Sequence, residues 1–190
     1  MSRPRGAFRE AARLGLGAEL DLLAAQTILE SARALPDERT VTVNVSPATI
    51  LDSRFAVVLA AADRDISIEI TEHDRVEDYR ALVRALARLP SHSFGVDDVG
   101  SGYASMQHIL RLEPSYVKLD RALVTAIDHD PSKQALVRGL LGFLAETGTD
   151  VVAEGIETGD EARALGDLGV GYGQGYFFGR PAPAAELIST

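Results

Sequence analysis

The segment GVDDVGSGYAS, residues 95–105, carries two adjacent carboxylates between an apolar run and two closely spaced glycines. Asp97 and Asp98 repel each other, so this pair costs stability unless a cation or a shared proton separates the two charges. Adjacent residues of a regular strand point to opposite faces of the sheet. We therefore expect Asp97 to point inward together with Gly95, and Asp98 to lie where the strand breaks into the following loop.

Further polar side chains stand late in short runs that are rich in β-branched residues. If these runs are parallel strands, their carboxyl ends meet at one mouth, and the side chains there share one cavity. The residues that this pattern brings together are Asn44, Glu69, Asp97, Asp98, Lys118, Glu154 and Gln174.

The chemistry of this set is that of a metal site. Carboxylate and amide oxygens without histidine or cysteine favour Mg²⁺, Mn²⁺ or Ca²⁺ over Zn²⁺ or copper. Several carboxylates at one site are typical of a two-metal cluster, with ~4 Å between the ions, which activates a water and holds a phosphate. Lys118 would orient or deprotonate that water, or stabilise charge on the phosphate.

Each of these signals also has a structural explanation when it is taken alone. An Asp-Asp pair before glycine is commonly a turn, Lys118 could form an internal salt bridge, and Asn44 could satisfy a backbone group. The four histidines share no spacing and are predicted to be surface or capping residues: His73, His92, His108 and His129. The recurrence of polar residues at the same end of successive strands is what favours a functional site.

The elements that must position this site alternate along the chain. Six runs are predicted as strands: 40–46, 66–71, 93–98, 115–120, 150–155 and 171–178. Amphipathic helices are predicted at about 18–34, 77–89 and 132–147. The strands are apolar on one face and small or polar on the other, whereas a doubly wound sheet is apolar on both. The pattern predicts an α/β fold, a TIM-like (β/α) barrel that is N-terminally truncated, with about six of eight strands present. We assign residues 1–190 to one domain, with residues 1–17 poorly defined.

Composition narrows the function further. The chain of 190 residues has no cysteine, which excludes disulfides and thiol nucleophiles, and its formal net charge of −9 argues against binding a nucleic acid polymer. Divalent cations would then have to supply positive charge for a phosphate ligand. The sequence has no apolar run that is long enough for a membrane span and no signal-peptide core, so we expect a cytoplasmic location.

Six motifs, in order and spacing, resemble the EAL domains that hydrolyse cyclic di-GMP: VTVNVSP, ISIEITE, GVDDVGSGYASM, YVKLDRALV, VVAEGIET and GYGQGYFFGRP. The similarity extends from about Phe8 to the C-terminus. It implies a barrel with one atypical antiparallel strand, Mg²⁺ or Mn²⁺ as cofactor, and cleavage of one phosphodiester bond to give linear 5′-pGpG. The metal ligands implied by the resemblance are Asn44, Glu69, Asp97, Asp98 and Glu154.

Other site residues follow from the same resemblance. Lys118 resembles a lysine that contacts the catalytic water, and with Glu154 it forms the expected catalytic pair. Glu157 and Gln174 resemble further pocket residues, and Glu72 resembles a glutamate that anchors the loop after the Asp pair. In the family this loop couples the metal site to a dimer interface, and here it comprises Val99, Gly100, Ser101, Gly102 and Tyr103.

Two departures from the family pattern affect these expectations. The Glu-x-Leu motif of the opening strand is absent, because the chain begins just after it, and its glutamate is a metal ligand. The resemblance therefore implies an incomplete metal site. Val99 stands where the family usually has phenylalanine, which we expect to loosen the loop. The sequence leaves open whether a sensory or cyclase domain precedes this one.

Two hypotheses from different classes remain open at this point. The chain is a phosphodiesterase domain, or it is an EAL-like module that binds cyclic di-GMP or a protein partner without turnover. A sugar-phosphate or other metal-dependent barrel enzyme fits the fold but not the ordered motifs. An open six-stranded sheet would expose edges that pair with another chain, so a homodimer is expected.

Overall fold

The structure is a computed structural model of the chain, and it describes residues 4–36, 38–71, 75–90, 92–100 and 104–184. The chain forms two compact units. The first comprises residues 1–70, 74–93 and 182–190, and the second comprises residues 71–73 and 94–181. The assignment of residues 1–190 to one domain stays a prediction.

The first unit alternates helices with two parallel strands. Its elements are α1 (Pro4–Arg13), α2 (Gly17–Ala32), β1 (Val41–Asn44), α3 (Pro47–Leu51), α4 (Ser53–Ala60), β2 (Ile66–Thr71) and α5 (Tyr79–Leu86). In the β1–β2 pair Asn44, the last residue of β1, lies opposite Glu69, which is two residues before the end of β2. The helix α1 lies in the segment 1–17, which the sequence pattern left without a defined element.

The second unit continues the alternation with four parallel strands that are neighbours in chain order. Its elements are β3 (His92–Val99), α6 (Ala104–Leu112), β4 (Tyr116–Leu119), α7 (Arg121–Val124), a 3₁₀ turn (Ile127–His129), α8 (Pro131–Thr147), β5 (Asp150–Glu154), α9 (Gly159–Leu168) and β6 (Tyr172–Gln174).

These elements confirm the predicted fold class, α/β of the TIM-like (β/α) type. All six predicted strands are present: β2 has its predicted bounds, and β6 is shorter than the run 171–178 that predicted it. The apolar face is buried in β1 to β4, as shown by Val43, Ile68, Val96 and Val117, each with at most 2% exposure, whereas the residues of β6 are exposed. The strands therefore pack one face against helices, as the alternation in the sequence predicts.

Helix ends in the second unit are specified by local sequence. Asp130 accepts hydrogen bonds from the first turn of α8, whose first residue is Pro131, and Gly148 ends this helix with a φ of 68°. Thr158 and Glu161 form a capping box at the start of α9. One expectation about helix residues is wrong: His108 is neither a surface nor a capping residue, because it lies in α6 with 1% exposure.

A buried carboxylate joins α2 to the segment after β1 in the first unit. Asp21 is 6% exposed. Its Oδ2 accepts hydrogen bonds from Ser46 N at 2.9 Å, Ser46 Oγ at 2.8 Å and Thr49 Oγ1 at 2.6 Å. Ser46 is also the N-cap of α3. One carboxylate oxygen therefore satisfies three donors at the point where β1 passes into α3.

Replacement of Asp21 by alanine should lower the free energy of unfolding by ~1–3 kcal/mol, because it leaves buried donors without an acceptor. Urea unfolding followed by circular dichroism measures this change. The matched control is Asp63→Ala, at an exposed aspartate of the same unit. Equal stability of the two variants would contradict the assigned role of Asp21.

Candidate functional site

The Asp pair of β3 occupies a β-bulge. Between Val96 and Val99 the register with β4 shifts by one residue, since Val96 pairs with Val117 and Val99 pairs with Leu119. Asp98 lies within this bulge and has a φ of 58°, a left-handed conformation that aspartate tolerates better than most residues. The strand thus breaks at Asp98, as its sequence predicts, but the break is a bulge inside β3 and not a loop.

The bulge allows both carboxylates to approach a third one from β5. Oxygen atoms of Asp97, Asp98 and Glu154 all lie within 4.8 Å of one another, and all three residues are partly buried. The backbone N–H of Asp98 donates to Asp97 Oδ1 at 2.9 Å, which holds the pair together.

A single ammonium group lies against this cluster. Lys118 Nζ is 2.5 Å from Glu154 Oε1 and 3.7 Å from Asp97 Oδ1, and the lysine side chain is 11% exposed. In a partly desolvated setting such charge-assisted contacts are stronger than surface ion pairs. Lys118 therefore offsets part of the repulsion among the carboxylates. The two interpretations of this residue in the sequence, an internal salt bridge and a site residue, describe the same contact.

Two further predicted residues lie next to this cluster. Gln174 on β6 is the register partner of Glu154. Glu157 follows on the loop after β5, is exposed, and accepts a hydrogen bond from Arg121 Nη2 at 2.7 Å. The second unit therefore groups Asp97, Asp98, Lys118, Glu154 and Gln174, with Glu157 three residues beyond β5.

The remaining predicted residues belong to the first unit, to the end of β3 and to segments outside the described residues. Asn44 and Glu69 are register partners on β1 and β2 in the first unit, where Asn44 is exposed and Glu69 is 1% exposed. Val99 is buried, and a Cβ on Gly100, which has a φ of 116°, would lie 2.3 Å from Leu123 Cδ1. The other predicted residues lie outside the described residues: Glu72, Ser101, Gly102 and Tyr103.

An aromatic ring beside the cluster was not predicted from the sequence. Gly95 and Tyr116 are register partners on β3 and β4, two residues before Asp97 and Lys118. A Cβ on Gly95 would lie 2.4 Å from Tyr116 Cζ, so the ring lies directly over the glycine. The signal in the sequence is the glycine within a strand, which marks a close approach.

Glu161 is a second residue that sequence analysis missed. Its side chain is 5% exposed and accepts hydrogen bonds from the backbone N–H groups of Ala126, Glu157 and Thr158. Burial raises the pKa of this carboxyl, but the three N–H donors outweigh burial and hold the pKa of Glu161 below its usual range. The carboxylate is therefore ionised at neutral pH. Its sequence signal is the capping box with Thr158.

The donor set fits a hard divalent cation. Asp97, Asp98 and Glu154 offer carboxylate oxygens close enough to share an ion, and no sulfur or imidazole donor belongs to this group of described residues. Such oxygens suit Mg²⁺, Mn²⁺ or Ca²⁺.

Comparisons with known proteins show which family of sequences the chain resembles. A sequence model of the family described as EAL domain matches residues 1–181. A Pseudomonas aeruginosa protein named as a cyclic di-GMP phosphodiesterase is 34% identical over 172 residues, which cover 86% of this chain and 29% of the relative. The probable cyclic di-GMP phosphodiesterase PdeA of Escherichia coli is 29% identical over 189 residues, which cover 92% of this chain and 26% of the relative. The chain spans between 18% and 34% of the length of such curated relatives.

Solved structures share the fold as well. A manganese and cyclic di-GMP complex of Klebsiella pneumoniae BlrP1 matches with a TM-score of 0.79 and 28% identity, over 87% of this chain and 45% of that one. A cyclic di-GMP complex of the PaMucR phosphodiesterase matches with a TM-score of 0.84 and 25% identity, over 97% of this chain and 86% of that one.

Removal of the ammonium group should make the cluster more dependent on cations. We expect Lys118→Met to lower the free energy of unfolding without added metal by about 2 kcal/mol, since the carboxylates lose a charged partner. Added Mn²⁺ should then raise its melting temperature more than that of the unsubstituted chain, because binding to the folded state stabilises it. Calorimetry with and without Mn²⁺ measures both effects. Lys133→Met, at the chain's other lysine, is the control, and an equal Mn²⁺ shift in the unsubstituted chain and both variants would contradict the assignment.

A methyl group on Gly95 should collide with the ring of Tyr116. We expect Gly95→Ala to lower the free energy of unfolding by ~1–3 kcal/mol through overpacking, and Gly95→Ala with Tyr116→Leu to recover part of that loss. Urea unfolding compares both with Gly142→Ala in α8, where an added Cβ meets no described atom within 4 Å. Failure of the second substitution to recover stability would argue against this ring contact.

Proposed function

The chain belongs to the EAL domain family, and we propose that it is a cyclic di-GMP phosphodiesterase domain that uses Mg²⁺ or Mn²⁺ to produce linear 5′-pGpG. The observation that carries this proposal is the group of Asp97, Asp98 and Glu154 around Lys118 in a family whose relatives are named for this reaction. The contact of Lys118 with Glu154 supports turnover, because it places a proton donor and a proton acceptor side by side.

The proposed cation ligands are the three clustered carboxylates together with Asn44 and Glu69. Their support is the oxygen chemistry of the donors, and the manganese and calcium complexes of BlrP1, which also hold cyclic di-GMP. Bound cations would polarise the phosphoryl group and lower the pKa of a water. Within the described cluster, Lys118 carries the only positive charge. Bound cations would supply the further positive charge that a ligand with two negative charges requires.

Lys118 and Glu154 are the proposed catalytic pair. Because Lys118 Nζ already donates to Glu154, it is held where it can donate to an attacking water or a phosphate oxygen. Glu154 can accept the proton of that water. The water oxygen forms a bond to phosphorus, the bond from phosphorus to the 3′ oxygen breaks, and the 3′ oxygen takes up a proton.

Gln174 and Glu157 are proposed to contact the ligand near this pair. Gln174 stands opposite Glu154 in the β5–β6 register, and Glu157 is oriented by Arg121. Glu72 and the loop from Val99 to Tyr103 are proposed to regulate the site, as they do in the family.

The setting of the domain is also part of the proposal. The relative MucR is named as a bifunctional diguanylate cyclase and phosphodiesterase, and the chain covers 18% of it, which supports further domains in the complete protein. A homodimer and a cytoplasmic location, expected from the sequence, are also proposed. Among the described helices, none is both long and apolar enough to cross a bilayer.

The test is chromatography of cyclic di-GMP incubated with the chain and Mn²⁺ or Mg²⁺. We expect linear pGpG to form, and Glu154→Gln and Asp97→Asn each to reduce its rate by about 100-fold or more, because each removes a ligand or the proton acceptor. Asp160→Asn, at an exposed residue of α9, is the matched control for charge and should keep the activity.

A binding assay accompanies the chromatography. Cyclic di-GMP that binds with Mn²⁺ but stays intact would favour the module without turnover. Ligand that neither binds nor reacts, while the control protein remains folded, would overturn the proposed function.

A further inference from the structure

The loops that follow β4 and β5 are cross-linked by one buried and one exposed set of polar contacts. Lys118 is the last but one residue of β4, and Glu154 is the last residue of β5. The segment after β4 contains α7 and reaches Ala126, and the segment after β5 reaches the N-cap Thr158. Both segments therefore begin directly at the proposed catalytic pair.

One carboxylate joins these two segments. Glu161 Oε1 accepts from Ala126 N at 2.8 Å, on the β4 side. Its Oε2 accepts from Glu157 N at 2.9 Å and from Thr158 N at 3.1 Å, on the β5 side. A capping residue needs only the bond to its own N-cap, so the bond to Ala126 goes beyond the capping box.

The backbone at Ala126 shows that this bond constrains the chain. Ala126 has a φ of 55°, a left-handed conformation that is costly for a residue with a Cβ. Such a conformation persists where surrounding contacts determine it. Besides the bond to Glu161, Lys133 Nζ donates to Thr125 O at 2.7 Å and Gln134 Nε2 donates to Ile127 O at 2.9 Å.

Arg121 supplies a second link between the same two segments. Its guanidinium donates to Glu157 at 2.7 Å. Its aliphatic stem lies against Gly155, where an added Cβ would lie 2.7 Å from Arg121 Cγ, and Gly155 has a φ of 72°. This link is exposed, whereas the Glu161 link is buried.

We propose that Glu161 is a positioning residue, which holds the segment after Lys118 against the segment after Glu154 and so maintains the contact between these two side chains. This inference rests on the proposed function for its catalytic meaning. Its structural content is independent of turnover, because the Lys118–Glu154 contact can be measured without substrate.

The experiment compares three variants in the full chain. Glu161→Gln keeps the shape of the side chain but replaces one acceptor oxygen with a donor, so the bonds to the two segments cannot all form. Thr158→Ala removes the N-cap side chain of α9 and with it one hydrogen bond to the Glu161 carboxylate, but it leaves the three backbone N–H bonds to that carboxylate in place. Arg121→Met breaks the exposed link only, and it should fold even if Glu161→Gln does not.

The readout is the rate at which an amine-reactive ester acylates Lys118, measured by mass spectrometry against an added reference amine at a temperature where each variant is folded. The chain has two lysines, so the two modified sites are easily resolved. A lysine held by Glu154 reacts slowly, and we expect Glu161→Gln to raise this rate about threefold or more. Arg121→Met should raise it less, and Thr158→Ala should leave it unchanged although it also lowers stability.

The turnover of cyclic di-GMP is measured in parallel. We expect Glu161→Gln to lower kcat by about tenfold or more with little change in KM, as losses of residues that orient catalytic groups commonly do.

Lys118 acylation that is equal in Glu161→Gln, Thr158→Ala and the unsubstituted chain would overturn the inference and leave Glu161 a helix cap. If Glu161→Gln does not fold, an unchanged rate in Arg121→Met overturns it instead. If no chain turns over cyclic di-GMP but the acylation pattern is as expected, the proposed function fails and the positioning role stands.

Discussion

Placing two consecutive carboxylates on one side of a strand is the constraint on which the site depends. A regular strand sends Asp97 and Asp98 to opposite faces. The bulge in β3, with Asp98 in a left-handed conformation, brings both to the same group as Glu154. The repulsion that results is met by the ammonium of Lys118 on the neighbouring strand. The site is thus arranged around a balance of charge that a divalent cation can complete.

The surroundings of the cluster explain how a strained and charged arrangement persists. The ring of Tyr116 lies over Gly95, so the strands β3 and β4 are packed closely just before the Asp pair. Beyond the strands, Glu161 and Arg121 join the segments that follow β4 and β5. The buried carboxylate of Glu161 is stabilised because both of its oxygens accept hydrogen bonds. Precise placement of a reactive pair requires such support from residues that do not react.

Membership in the EAL domain family agrees with this chemistry. This chain corresponds to 26% and 29% of the length of two relatives that match over most of it. What the chain shares with the solved structures is the fold, with TM-scores of 0.79 and 0.84. Asn44 and Glu69 are register partners on β1 and β2 and carry oxygen donors, as the acidic cluster does.

The sequence by itself determined the order of strands and helices, the face on which each strand is apolar, and most of the acidic cluster. Those features follow from local periodicity: a period of two on a strand, combined with parallel pairing, places Lys118 and Glu154 at the same end. The sequence also predicted that Asp98 must leave the regular strand. Only the tertiary structure decided that this departure is a bulge within β3, because a bulge depends on the register with β4. The burial of His108, the ring of Tyr116 over Gly95 and the bond from Glu161 to Ala126 were likewise decided in space. These features join residues that are distant in sequence or depend on packing between elements. Contacts of either kind leave no periodic signal in the sequence.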